Sequence, residues 1–310
     1  MTRPHEHLAV RPKRLARRLD RLLRDVERRV PDALAGSVEA VHRGRVASRR
    51  LRELLRALDS LSCAAAVRRN LRPMARRLGV VRELDVARTT LVACGRLWQW
   101  PAGLLLAVER DLAEARDRGR AGMRSARRNV RFVRAARTDL ARRVQNLDSR
   151  TVAVALATSL VERARRLGRA LDEAGTHYAA ESLHALRLAV KKLRYSLELA
   201  EDVAGLPAAR EVRALRRMQE RLGRLHDLHV LQVWLARVAA TWPAAAPRHP
   251  RTAAADVEAE CRRIHAGIVG RADELRRLAE RTLRDLAWRL VPPRASGITT
   301  TRVRAHRVAG

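Results

Sequence analysis

Apolar residues recur at steps of three and four along nearly the whole chain, the spacing that lines one face of an α-helix. Leu183, Leu186, Val190, Leu193, Leu197 and Ala200 make one such stripe; Val41, Ser48, Leu51, Leu55 and Leu58 make another. Strand-like alternation is nearly absent. The pattern predicts helices over about 8–30, 37–59, 64–92, 102–118 and 120–146, then over about 149–173, 181–203, 208–240, 253–269 and 271–291. Breakers separate them at Pro31-Asp32, Gly36-Ser37, Pro101, Gly175, Gly205-Leu206-Pro207 and from Pro243 to Pro250. Ser37 is placed to cap the second helix through its hydroxyl. From Pro292 onward the chain is rich in Pro, Gly, Thr and Arg, which predicts a flexible basic tail over 292–310.

Two stretches repeat. Val41-His42-Arg43-Gly44-Arg45-Val46-Ala47-Ser48-Arg49-Arg50-Leu51-Arg52 aligns with Leu183-His184-Ala185-Leu186-Arg187-Leu188-Ala189-Val190-Lys191-Lys192-Leu193-Arg194 at an offset of 142 residues. Leu78 to Val86 aligns with Leu222 to Val230 at an offset of 144. Near-equal offsets predict an all-α fold of two helical bundles related by internal duplication and pseudo-twofold symmetry. The first spans 5–147 and the second 148–291.

Charge gives this helical frame a purpose. Basic residues number 66 against 33 acidic, a formal net charge of +33, and all but Lys13, Lys191 and Lys192 of them are arginine. Such a field points to a polyanion: nucleic acid, a phosphate polymer or an anionic surface. Guanidinium groups grip phosphate oxygens in pairs, although a GC-rich coding bias also enriches arginine. Placement separates the two readings. His184, Arg187, Lys191 and Arg194 run one residue behind the second apolar stripe, about 100° around the helix. His42, Arg45, Arg49, Arg52 and Arg56 do the same beside the first. Arg14, Arg17, Arg21, Arg24 and Arg28 make a third row, and Arg120, Arg124, Arg127, Arg131 and Arg134 a fourth. A solvated face usually mixes signs at i and i+4; like-charge pairs there cost a few tenths of a kcal/mol each. Rows of mainly one sign therefore point to a ligand.

At the paired His-led rows the sequence resembles the CHAD family, the conserved histidine alpha-helical domain. His42-x-x-Arg45-Val46-Ala47-x-Arg49-Arg50-Leu51-Arg52, His184-x-x-Arg187-x-Ala189-x-Lys191-Lys192-Leu193-Arg194-Tyr195 and the Leu-Gly elements at Leu78 and Leu222 carry the likeness, over about residues 5–291. The resemblance implies two helical bundles whose basic residues line a shared cavity holding inorganic polyphosphate, with links to polyphosphate granules. It implies contacts from His42, Arg45, Arg49, Arg50, Arg52, His184, Arg187, Lys191, Lys192 and Arg194. Arg56 extends the first row. Arg14, Arg17, Arg21, Arg24, Arg120, Arg124, Arg127, Arg131 and Arg134 are secondary candidates. Gly44 departs from the family pattern, where a bulkier apolar residue is common, and glycine weakens a helix by up to ~1 kcal/mol relative to alanine.

No catalytic, metal or cofactor site is expected. Glu258-Ala259-Glu260-Cys261-Arg262 imitates the Glu-x-Glu-x-Lys strand motif of CYTH triphosphatases, but its surroundings read as helix, where alternate residues splay apart. His226 and His229, at i and i+3, lack a further ligand cluster, and a carboxylate at Glu83 or Asp227 is suited to hold a row arginine. Cys63, Cys94 and Cys261 are far apart, which suits a reducing cytoplasm. The longest apolar runs are too short to span a bilayer. Two alternatives stay open: non-specific nucleic-acid binding, for which Tyr195 is the only stacking platform beside a row, and a granule or nucleoid scaffold.

Overall fold

The computed structural model describes residues 8–58, 62–123, 126–175, 177–243 and 250–291. The predicted tail and Arg124 lie outside them. Ten α-helices make up the described chain, with no strand among the described residues: α1 Pro12–Ala35, α2 Val38–Ala57, α3 Ser62–Leu97, α4 Ala102–Met123, α5 Ala126–Gln145, α6 Ser149–Ala174, α7 Ala180–Ala204, α8 Ala209–Ala239, α9 Pro250–Val269 and α10 Ala272–Arg281. The protein is all-α, as the apolar spacing predicted.

Helix α1 packs on α2 and α5, α2 on α3, and α3 on α4 and α5. In the other half α6 packs on α7, α7 on α8 and α8 on α9, while α10 folds back onto α6. The halves touch through α3 with α8, α2 with α7, and α4 with α8, and one apolar core runs through both. Each predicted stripe is buried: Leu183, Leu186, Val190, Leu193, Leu197 and Ala200 on α7, and Val41, Ser48, Leu51, Leu55 and Leu58 at α2. Two backbone bonds tie the start of the chain to the second half, from Leu8 N to Arg289 O (2.9 Å) and from Arg11 N to Val203 O (3.3 Å).

Three boundaries differ from the sequence expectation. Helix α1 does not stop at Pro31 but continues to Ala35. Pro31 is exposed while Val30 and Ala33 are fully buried, so packing outweighs a penalty of about 3 kcal/mol for the lost backbone bond. The helix ends instead at Gly36, whose φ of +96° is the left-handed conformation that glycine adopts without strain. Second, α4 runs through Gly119 to Met123. A Cβ at Gly119 would lie 3.2 Å from the Val81 side chain, so the glycine lets α4 approach α3. Arg120 therefore belongs to α4, apart from Arg127, Arg131 and Arg134 on α5, and the fourth row is not one helical face. Third, the last helix is not uniform over 271–291. It widens into a π turn at Thr282–Leu286 and tightens into a 3₁₀ turn at Trp288–Leu290. The buried Thr282 hydroxyl donates back to Leu278 O (2.9 Å).

Helix α2 is continuous through Gly44. Its Cβ, if present, would lie 3.3 Å from the Ala33 side chain and 3.4 Å from the Arg29 carbonyl oxygen. The missing side chain is what lets α1 and α2 come this close. Ser37 caps α2 as expected, accepting from Ala40 N at 3.0 Å.

Candidate functional site

Burying the apolar stripes of α2 and α7 in one core brings their neighbouring cationic edges together. The contact of α2 with α7 sets Arg45 and Arg49 beside Arg187 and Lys191, close enough for each charge to act on the others. Tyr195 sits at the junction, with the Arg49 guanidinium 5.5 Å from its ring centre and that of Arg194 4.4 Å away. The result is a half-buried seam of like charges between the two helices, the slot in which a ligand would lie.

Its electrostatics are unfavourable without an anion. Burial, then Arg49, Arg52 and Arg187, depress Arg45 to about 10. Lys191 is pushed down to about 7, first by burial and then by Arg49, Arg187 and Arg45. Burial also lowers Arg187 and Arg52. The Nε groups of Arg49, Arg52 and Arg187 are buried without a hydrogen-bond partner. An orphaned buried donor costs roughly 1–3 kcal/mol. Arg45 has one fixed anchor, donating to Ala75 O on α3 at 3.0 Å. Gly79, one turn further along α3, makes room for it, since a Cβ there would lie 3.3 Å from the guanidinium carbon.

The second repeated element borders the His-led starts of the rows. At one end His184 and His226 stand with ring centres 5.6 Å apart, and His226 Nε2 lies 3.6 Å from a Glu83 carboxylate oxygen. Glu83 is held below the usual carboxylate range, chiefly by His226, with Arg187 and Arg45 contributing. Asp227 is raised by burial, against the pull of Arg187. At the corresponding place in the first half, His42 is lowered by burial and then by Arg82, which aligns with His226. His184 is likewise lowered by burial and then by His226. Glu83 and Asp227 act on the row arginines through their fields, whereas the ionic contact of Glu83 is with His226 and not with a row arginine as the sequence reading expected.

The remaining expected residues are dispersed. Arg50 turns to a narrow cleft with Arg18, Glu53, Tyr195 and Glu198. Arg194 is buried, and its guanidinium is occupied by Gln219 Oε1 (3.0 Å) and Glu198. Lys192 and Arg56 look toward α6, and both act on Glu53. Arg14, Arg17, Arg21 and Arg24 are exposed on α1, with Arg24 held 2.5 Å from Asp20. Arg127, Arg131 and Arg134 are exposed on α5. Arg120 donates to Ala35 O (3.2 Å), helping Arg116 satisfy the carbonyls that end α1.

One pair central to the site's construction escaped the sequence reading. Glu53 on α2 receives Arg163 Nη1 from α6 at 2.8 Å, and Arg163 is only 5% exposed. Neither lies in the repeated rows, and no local spacing connects residues 110 apart. The Glu258–Arg262 stretch lies on α9, where Glu258 receives Gln232 (2.8 Å) and Arg262 (3.0 Å) while Cys261 is buried in the core. A helical setting with separate partners leaves no shared strand face for phosphate. Cys94 and Cys261 are free and buried; the Cys63 side chain lies outside the described residues. Among the described residues no helix is long and apolar enough to cross a membrane.

No curated protein matches the chain. Among solved structures, the CHAD domain of the plant Ricinus communis is similar at a TM-score of 0.60 and 23% identity, covering 90% of this chain and 95% of that one. PptA from Streptomyces chartreusis is similar at a TM-score of 0.59 and 19% identity, covering 88% and 100%. At these identities the likeness establishes the shared fold. The family model for the CHAD domain matches residues 17–236, most of the chain and both His-led rows, and the protein belongs to the CHAD family.

Proposed function

We propose that the protein binds inorganic polyphosphate in the slot between α2 and α7, as a binding protein with no catalytic step of its own. The CHAD family is associated with polyphosphate. The observation that carries the reading for this chain is the set of buried, unpartnered Nε groups on Arg49, Arg52 and Arg187 around the depressed Lys191. A linear chain of phosphates supplies what these groups lack: closely spaced oxygens for the guanidinium forks and a negative field that restores the lysine's proton. Arg45, Arg49, Arg187 and Lys191 are the primary contacts, with Arg52, His42 and His184 toward the ends. Duplication of an ancestral bundle accounts for the matched pairs Arg45 with Arg187 and Arg49 with Lys191.

A seam between two packed helices favours a thin phosphate thread over a duplex. Tyr195 is buried with the Arg49 and Arg194 guanidinium groups against its ring, so it offers no open face to a base. Granule association and a cytoplasmic setting belong to this reading as its cellular consequence.

Changing Arg45, Arg49, Arg187 and Lys191 together to Glu should abolish binding of labelled polyphosphate, with helicity by circular dichroism retained. Unlabelled polyphosphate should displace the label from the wild type at physiological salt far better than duplex DNA or single-stranded RNA. Full affinity in the folded quadruple variant, or equal displacement by duplex, would overturn the proposal.

A further inference from the structure

Apart from the slot, an open furrow of about 660 Å³ lies between the end of α2 and the first half of α6, lined by Arg56, Arg150, Thr151, Ser159, Arg163 and Arg166 among others. A second hollow of about 260 Å³ continues it between α6 and α7, reaching Arg169 and Lys192. The two share Arg163 and Arg166, so together they follow α6 for nearly its full length. Their walls carry six cationic side chains against the carboxylates of Glu162 and Glu173. The hydroxyls of Thr158 and Ser159 add polar groups suited to phosphate oxygens.

The cationic rows run on into this furrow. Arg56 ends the α2 row and lines the furrow, Lys192 follows Lys191 on α7 and lines its far hollow, and both act on Glu53 of the Glu53–Arg163 pair. From Arg45 to Arg56 the slot row spans about 16 Å of helix, whereas Arg150 to Arg169 spans about 28 Å. A polymer longer than the slot must emerge somewhere. The border at Arg56 and Lys192 is where cationic wall continues.

We propose that α6 forms an outer track for the same polymer: polyphosphate leaving the α2–α7 slot passes Arg56 and Lys192 and lies along Arg150, Arg166 and Arg169. The inference rests on the slot being a polyphosphate site. It assigns the protein a chain-length preference, because a short oligophosphate fills the slot alone while a long chain engages both surfaces at high effective concentration.

The test compares tripolyphosphate or tetraphosphate with long-chain polyphosphate by calorimetry, on wild type and on the Arg150→Glu/Arg166→Glu/Arg169→Glu variant. Long-chain affinity should fall by about tenfold or more in the variant, while short-chain affinity stays within about twofold. The log–log salt slope for the long chain should lessen by about two, near 0.7 for each of three lost phosphate contacts. A charge-matched control on other helices, Arg96→Glu/Arg110→Glu/Arg118→Glu on α3 and α4, should weaken long-chain binding by less than about threefold. Long-chain affinity unchanged in the α6 variant, or weakened equally by the control, overturns the track while leaving the slot intact. Failure of the wild type to bind either probe removes the slot, and the track with it.

Discussion

Lys191 shows most directly what the slot does to a single residue. Its ammonium sits at about 7 in the free protein against an ordinary 10.5. Between those values the unfolded chain holds the proton and the folded chain does not. This group therefore makes the free protein more stable as pH rises across that window, by up to about 1.4 kcal/mol per unit. Lys191→Met should flatten the rise in denaturation midpoint between pH 7 and 9; an unchanged slope in the variant would mean the lysine is not the titrating group. A bound polyanion raises the lysine's pKa, so binding takes up a proton and affinity should decline as pH climbs above 7, at most about tenfold per unit. Calorimetry in buffers of different ionisation enthalpy measures that proton directly. The identity of the row residues was readable from their three- and four-residue spacing. Their depth was not, because burial of Arg45, Arg187 and Lys191 comes from helices far away in sequence.

At the scale of elements, Gly44 and Pro31 make the same point with opposite outcomes. Glycine in the middle of α2 lowers local helix propensity, yet it sits where α1 crosses closest, and close packing there makes it an asset. Gly44→Leu, toward the bulkier residue common in the family, should destabilise by about 1–3 kcal/mol through overpacking. Urea denaturation that showed stabilisation instead would mean α1 can move aside. Pro31, a breaker by its own chemistry, is overridden because buried Val30 and Ala33 hold the final turn of α1 to its neighbours. The split of the fourth arginine row between α4 and α5 has a similar origin: Gly119 carries α4 onward by packing against Val81, which no local propensity signals.

Across the whole molecule, the two halves are joined at the site by the Glu53–Arg163 pair. Burial pushes the Glu53 carboxyl up, but the Arg163 guanidinium more than offsets this and holds it below the ordinary carboxylate range. Glu53→Ala would leave Arg163 buried with only Ser159 and the Lys192 carbonyl as partners, and should cost about 3 kcal/mol of stability. Chemical denaturation checks this; a loss below about 1 kcal/mol would mean that Arg163 escapes to water on losing its partner. The double change Glu53→Leu/Arg163→Met should recover much of the loss, because an apolar pair removes both desolvated charges.

The chain's own pattern determined the helical class, the apolar stripes and the cationic edges beside them, since each depends on residues within a few turns of one another. Tertiary structure alone decided which edges meet. Packing α2 on α7 turned two rows into one half-buried slot, sent Arg50 and Arg194 elsewhere, and laid α6 alongside as a second basic wall. Helical periodicity fixes the direction of a side chain relative to its own axis, whereas the field around it is set by neighbours brought from more than a hundred residues away.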